Sequence, residues 1–233
     1  MMNRMRERGT RSLRRRFAFA GGLIGAIALF TGGLAFAASE TIIAQPDSTF
    51  SASTYTTDQG EVVQLQDNGD QHNATALKNG PDGQALFRSP TISGGTTGVQ
   101  GTQYLSAGDY TFYCTIHPTT MQATLHVTSN GTPQARPSSS IKLTRRSVAQ
   151  TTKKGLKLNM TPTTRIEGVT LTAKLGKATI GKKTVTLAEG FNAPVVKLSK
   201  AGKSKLQGKG SAKVTVTADI PFGSPASAKA KLG

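Results

Sequence analysis

The sequence predicts an all-β protein: two successive β-sandwiches behind an N-terminal signal helix. Three observations point there. Val, Ile, Thr and Leu crowd short runs in which apolar and polar residues alternate. Gly (26 residues) and Pro (10 residues) break those runs at turn spacing. A Pro/Ser/Gly-rich stretch, residues 130–140, separates two blocks of opposite charge, and 233 residues leave room for two small domains.

The formal net charge of +17 hides three unlike segments. Residues 1–38 carry seven Arg and one Glu; residues 39–140 carry three Lys/Arg and eight Asp/Glu; residues 141–233 carry nineteen Lys/Arg and three Asp/Glu. The chain therefore reads as a basic leader, an acidic middle and a basic tail. With one cysteine, Cys114, it forms no internal disulfide, and an exported chain gives such a leftover thiol to pairing between chains, to a metal, or to an inert buried position.

The leader begins with MMNRMRERGTRSLRRRF and continues as the uncharged run AFAGGLIGAIALFTGGLAFAA. Ala35-Phe36-Ala37 before Ala38 has the small-x-small form of a cleavage site, so residues 1–37 are expected to be a signal peptide. Arg14-Arg15-Arg16-Phe17 also fits the twin-arginine export form. If the leader is not cleaved, its apolar run of roughly 20 residues serves as a membrane anchor. Either outcome places the remainder outside the cytoplasm, in the extracellular space, the periplasm or the cell envelope.

The segment 38–129 is expected to fold as the first sandwich. Val63 and Leu65 alternate with polar neighbours, and Asp67-Asn68-Gly69-Asp70 is turn chemistry placed directly before His72-Asn73. Residues 79–101 read as loop, with one apolar patch at Ala85-Leu86-Phe87. In Tyr110-Thr111-Phe112-Tyr113-Cys114 a period of two puts Tyr110, Phe112 and Cys114 on one face. Alternation resumes after Met121, with Ala123, Leu125 and Val127 on one side and His126 on the other, facing solvent. Two strands thus flank a short loop carrying His117.

One thiolate, two imidazoles and a thioether are soft to borderline ligands, and a Cys/His/His plane with a weak axial Met is the ligand set of blue-copper electron transfer. Cys114, His117 and Met121 stand close enough for one loop to wrap an ion, whereas His72 must arrive from a distant strand. Zinc suits the same cage less well, because Met is a poor zinc ligand.

On these residues the segment resembles a cupredoxin of the plastocyanin/azurin type. The motif residues are His72-Asn73, Tyr113-Cys114-Thr115-Ile116-His117-Pro118 and Met121-Gln122-Ala123-Thr124. The resemblance covers roughly residues 40–128 and implies a Greek-key sandwich. It implies one type 1 copper held by His72, Cys114, His117 and Met121. It implies that Asn73 ties the ligand loops together with Thr115 as its partner, and that Tyr113 lies on an electron path; a plain surface tyrosine is the other reading of that residue. Three residues separate His117 from Met121, against the four common in plastocyanins and the two of amicyanins, which bears on the axial bond and the potential. Ala123 stands where a glycine is usual.

Residues 141–233 are expected to form a second, basic sandwich of six or so strands, immunoglobulin-like in style. Leu156/Leu158/Met160, Val169/Leu171/Ala173, Val185/Leu187 and Val214/Val216/Ala218 mark its inward positions, and Ser199-Lys200-Ala201-Gly202 a short helical or turn element. This block resembles the lysine-rich β modules that end many secreted actinobacterial proteins. It has neither Cys nor His and no catalytic constellation. Its lysines are solvated strand faces on one reading and a means of attachment to an anionic wall polymer or membrane surface on the other. Nucleic acid is not expected, for want of stacking aromatics in an exported chain.

The function these features imply is an exported single-electron carrier serving a redox partner protein. The alternatives are a copper-handling protein without redox work, and an envelope-attached structural protein with a vestigial site. An enzyme is not expected: axial Met leaves no open position, and three histidines do not supply a second copper centre.

Overall fold

A computed structural model describes residues 40–144 and 146–233; the leader and its cleavage site lie outside the described residues. Among the described residues no helix is long and apolar enough to cross a membrane.

The fold is all-β. Seven strands build the first sandwich: β1 (Thr41–Ala44), β2 (Thr54–Gln59), β3 (Gln64–His72), β4 (Thr75–Ala76), β5 (Ile92–Gly98), β6 (Gly108–Tyr113) and β7 (Gln122–Gly131). They form a three-stranded sheet in the order β1-β3-β5 and a four-stranded sheet in the order β2-β7-β6-β4. Alternation explains the layering. Phe112 on β6 and Ala123, Leu125 and Val127 on β7 face inward and are buried, while Thr111, Gln122 and His126 face out. Phe112 is the centre of the core, with ring centroids 4.9 Å from Phe50, 6.1 Å from Tyr55 and 6.0 Å from Phe87. Burying a ring of this size stabilises by about 1.5–3 kcal/mol.

Two sequence expectations are corrected here. The stretch 79–101, read as loop, contains β5, which pairs antiparallel with β3 from Gln64↔Gly98 to His72↔Ile92. It is an exposed edge strand carrying Gly94 and Gly95 at φ of 79° and 87°, so it shows no apolar alternation. The residues Asp67–Asp70, read as a turn, lie inside β3, where the register against β5 shifts between Asp67 and Gln71. The turn-forming residues make a bulge that re-aims the strand end carrying His72.

The second sandwich contains β8 (Ser139–Leu143), β9 (Leu156–Pro162), β10 (Ile166–Leu175), β11 (Ala178–Leu187), β12 (Val195–Val196), β13 (Ala212–Asp219) and β14 (Ala226–Leu232). Its sheets run β11-β10-β13-β14 and β12-β9-β8. Two short helices accompany them, α1 (Val148–Lys154) and α2 (Lys200–Leu206). Ser147 caps α1 in a reciprocal box with Gln150, and Ser199 caps α2 through Gly202 N–H. The inward residues of these strands make a hydrophobic core separate from that of the first sandwich.

The connection between β7 and β8 is hydrogen-bonded along its length. Gln134 N–H donates to Gln103 O at 2.8 Å, and Arg136 Nη1 to Phe222 O at 3.0 Å. Phe222, at φ 61°, has its N–H bound by Asp82 Oδ2 at 2.9 Å, and Arg88 lies 4.2 Å above its ring. A non-glycine residue in the left-handed region is strained by about 1–3 kcal/mol, so these contacts on both sides of the peptide hold it there. Burial pushes the Asp82 carboxyl up, but the amides of Phe222 and Gln84 and the Arg88 guanidinium outweigh it and hold the group below the usual carboxylate range.

Candidate metal centre

His72, the last residue of β3, and Cys114, the residue after β6, are both fully buried. The loop from Cys114 to Met121 is closed at its neck by Cys114 N–H to Met121 O and, within it, Met121 N–H to His117 O, each 3.0 Å. Directly beneath, Tyr113 pairs with Gln122 across the β6–β7 hairpin. This closure is local, and it returns Met121 to the core beside the strand end that carries Cys114.

The structure brings the sequence-selected residues together as follows. Cys114 Sγ stands 3.9 Å from His117 Nδ1. The His117 and His72 rings approach with centroids 5.2 Å apart at an interplanar angle of 54°. Met121 is fully buried within the same core cluster as Cys114. Among the described residues no three His, Cys, Asp or Glu side chains form a ready-made metal cluster. What lies together here instead is one thiol and two imidazoles, with the Met121 thioether buried in the same core. His126 is apart from it: exposed on β7, its Nδ1 lies 2.6 Å from Asp109 Oδ1.

Asn73 joins the segment that carries His72 to the one that carries Cys114. Its Nδ2 donates to Thr115 Oγ1 at 2.8 Å and to Thr91 Oγ1 at 3.0 Å, while its Oδ1 accepts from Thr115 N–H at 3.0 Å. Each side of the bridge lies next to a residue of the set, His72 on one and Cys114 on the other. Tyr113, half-buried, lines a shallow groove of about 210 Å³ with Leu77, Thr111, Pro118 and Gln122.

Sequence reasoning missed Asp67. It is 3% exposed and its Oδ1 lies 2.8 Å from His72 Nδ1. The same carboxylate accepts Gly94 N–H at 2.7 Å and Gly69 N–H at 3.2 Å. Burial pushes its carboxyl up, yet the hydrogen bonds from His72, Gly94 and Gly69 outweigh that and hold it below the usual carboxylate range. An ionised carboxylate only accepts, so Nδ1 of His72 is the donor of this contact. In the neutral ring the lone pair is then on Nε2, which is buried and has no hydrogen-bond partner among the described residues. A buried imidazole lone pair oriented by a carboxylate on its other nitrogen is the arrangement found around metal-ligating histidines. The donor set and this orphaned nitrogen both fit a soft to borderline ion. The only sequence signal for Asp67 was an acid five residues before His72 in a run that looked like a turn.

No protein-family model matches the chain, and no curated protein matches it. Among solved structures it is similar to a reduced, Cu(I) form of an amicyanin variant at pH 4, at 17% identity over 38% of this chain and 81% of that one, with a TM-score of 0.32. It is similar to an oxidised amicyanin variant at 19% identity over 38% and 81%, with a TM-score of 0.32. A purple cupredoxin from Nitrosopumilus maritimus gives 20% identity over 38% of this chain and 98% of that one, with a TM-score of 0.30. At these identities and TM-scores no residue's role is taken from the likeness.

Proposed function

We propose that this chain is an exported single-electron carrier of the blue-copper type, with His72, Cys114, His117 and Met121 as ligands. The observation that carries the reading is the buried, unpartnered Nε2 of His72, on a ring packed beside His117, which in turn lies 3.9 Å from the Cys114 sulfur. Bound there, copper would supply a one-electron Cu(II)/Cu(I) couple.

The chain's own residues account for the rest. Cys114 and Met121, fully buried, keep water from the sulfur atoms. Asp67 holds the His72 ring and its tautomer, and Asn73 locks the two segments against each other through Thr115. A site fixed before the electron arrives rearranges little when it leaves, so transfer meets a small barrier. His117 is half-buried between exposed Ile116 and Pro118 and is the edge through which a partner protein would exchange electrons. Tyr113, covalently next to Cys114, offers a second route. With Met121 among the four residues that would hold the ion, no open position would remain for a substrate, so catalysis is not part of the proposal.

Export follows from the leader. The basic second sandwich would attach the carrier to anionic material of the envelope, leaving the first sandwich to meet its redox partner. The test is to load the mature protein with copper, oxidise it, and cycle it electrochemically. A carrier shows an intense visible thiolate-to-copper band that bleaches on reduction and returns on oxidation. A protein that binds copper but stays colourless and does not cycle is a copper holder, and the proposal fails.

A further inference from the structure

The outer face of the sheet β11-β10-β13-β14 gathers unpaired lysines at one corner. Alternation fixes which residues face out. On β13, Ala212, Val214, Val216 and Ala218 are buried, so Lys213, Thr215 and Thr217 point to solvent. By the same pattern Thr172 and Lys174 face out on β10, and Ser227, Lys229 and Lys231 on β14. The register then sets Lys174, Thr215 and Lys229 side by side in one row, and Lys213 directly opposite Lys231 in the next. Directly opposed side chains stand about 5 Å apart at Cβ, and successive rows about 7 Å apart. Four ammonium groups therefore share a patch about three strands wide, with the Thr215 hydroxyl among them. Among the described residues none of the four takes part in an ion pair. Asp219, the acid on the same face of β13, lies about 20 Å away along the strand.

Edge protection explains part of this. Lysines on an edge strand discourage pairing with another chain, and β14 is an edge. That reasoning covers Lys229 and Lys231. It does not cover Lys213 on β13 or Lys174 on β10, which are interior strands, nor the direct opposition of Lys213 and Lys231, which is unfavourable for the sheet.

We propose that this corner binds a linear phosphate polymer. The inference rests on the envelope-attachment reading of the basic half and narrows it to one surface and one chemistry. The patch carries Lys without Arg, and Lys meets phosphate as a point charge and not through a bidentate fork, which suits a flexible polyanion whose phosphates have no fixed orientation. The exposed large apolar residues among those described are Leu77, Ile116 and Phe191, none of them on this face, so it has nothing to insert into a bilayer. It has no aromatic ring on which a base could stack, and no aromatic or Arg anchor of the kind that dominates protein interfaces.

The test is calorimetric titration of the full mature chain with long-chain inorganic polyphosphate at several salt concentrations. Two triple variants lose the same charge: Lys174→Gln/Lys213→Gln/Lys231→Gln in the patch, and Lys203→Gln/Lys205→Gln/Lys209→Gln on and just after α2, outside this face. All six side chains are exposed, and circular dichroism of each variant checks that the fold is kept. The patch variant is expected to bind about tenfold more weakly with a shallower salt dependence, and the α2 variant to bind like the parent chain. Equal weakening of both would overturn the patch and leave attachment by net charge standing. Binding to anionic lipid vesicles but not to polyphosphate would overturn the polymer in favour of a membrane. Binding to neither would remove the attachment reading itself.

Discussion

Asp67→Ala is the perturbation that most exposes how the first sandwich builds its centre. The substitution removes the acceptor for three donors at once: His72 Nδ1, Gly94 N–H and Gly69 N–H. The imidazole is fully buried, so its stranded N–H carries the full penalty of about 1–3 kcal/mol. Water reaches the two amides in part, which reduces each to about 0.5–1 kcal/mol. The total, about 2–5 kcal/mol, is a large share of the roughly 5–15 kcal/mol by which a domain is stable. Asp67→Asn keeps the shape and one acceptor oxygen and is expected to lose about half as much. The same change frees the His72 ring, and loss of such an outer partner lowers metal affinity by about 10–100-fold. Urea unfolding of the metal-free protein measures the first effect, and competition with a copper chelator the second. If Asp67→Ala unfolds within about 0.5 kcal/mol of the parent and holds copper equally well, Asp67 does not orient His72 and the tautomer argument is wrong.

Two further perturbations probe the surroundings. Asn73→Ala removes the bridge between Thr91 and Thr115 and is expected to destabilise by about 1–3 kcal/mol, read by urea unfolding, and to broaden the visible band of the copper form. The Asp82 carboxyl is depressed in the folded chain, so the stabilisation it gives is present above its ordinary value near 3.8 and lost as pH falls through the folded value. The contact of Asp82 with Phe222 should therefore weaken only in acid, and Asp82→Asn should reduce the difference in unfolding free energy between pH 7 and pH 3; an unchanged difference would show that this carboxylate does not govern the contact.

Some of this was legible in the sequence. The β6–β7 hairpin could be read directly, because its inward and outward residues alternate without a break and the loop from Cys114 to Met121 sits between them. The inward positions of β9, β10 and β13 were equally plain. What escaped has physical reasons. Strand β5 is exposed and glycine-bearing, and its existence depends on the partner β3 and not on its own residues. Helix α1 is marked in the sequence by Ser147 and Gln150 in capping positions, and it is short and holds the β-branched Val148, Thr151 and Thr152, whose helix propensity is low. Asp67 looked like a turn acid because a bulge and a turn use the same residues, and only the tertiary fold turns its carboxylate onto His72. The convergence of His72 with His117 depends on two sheets closing, which no local pattern encodes.

The most direct measurement is the visible spectrum of the oxidised chain during copper titration, recorded beside Cys114→Ser and His72→Ala. The account expects an intense band that stops growing at about one equivalent of copper, is absent without the sulfur, and shifts or fades without the imidazole. The same spectrum from all three proteins would contradict it.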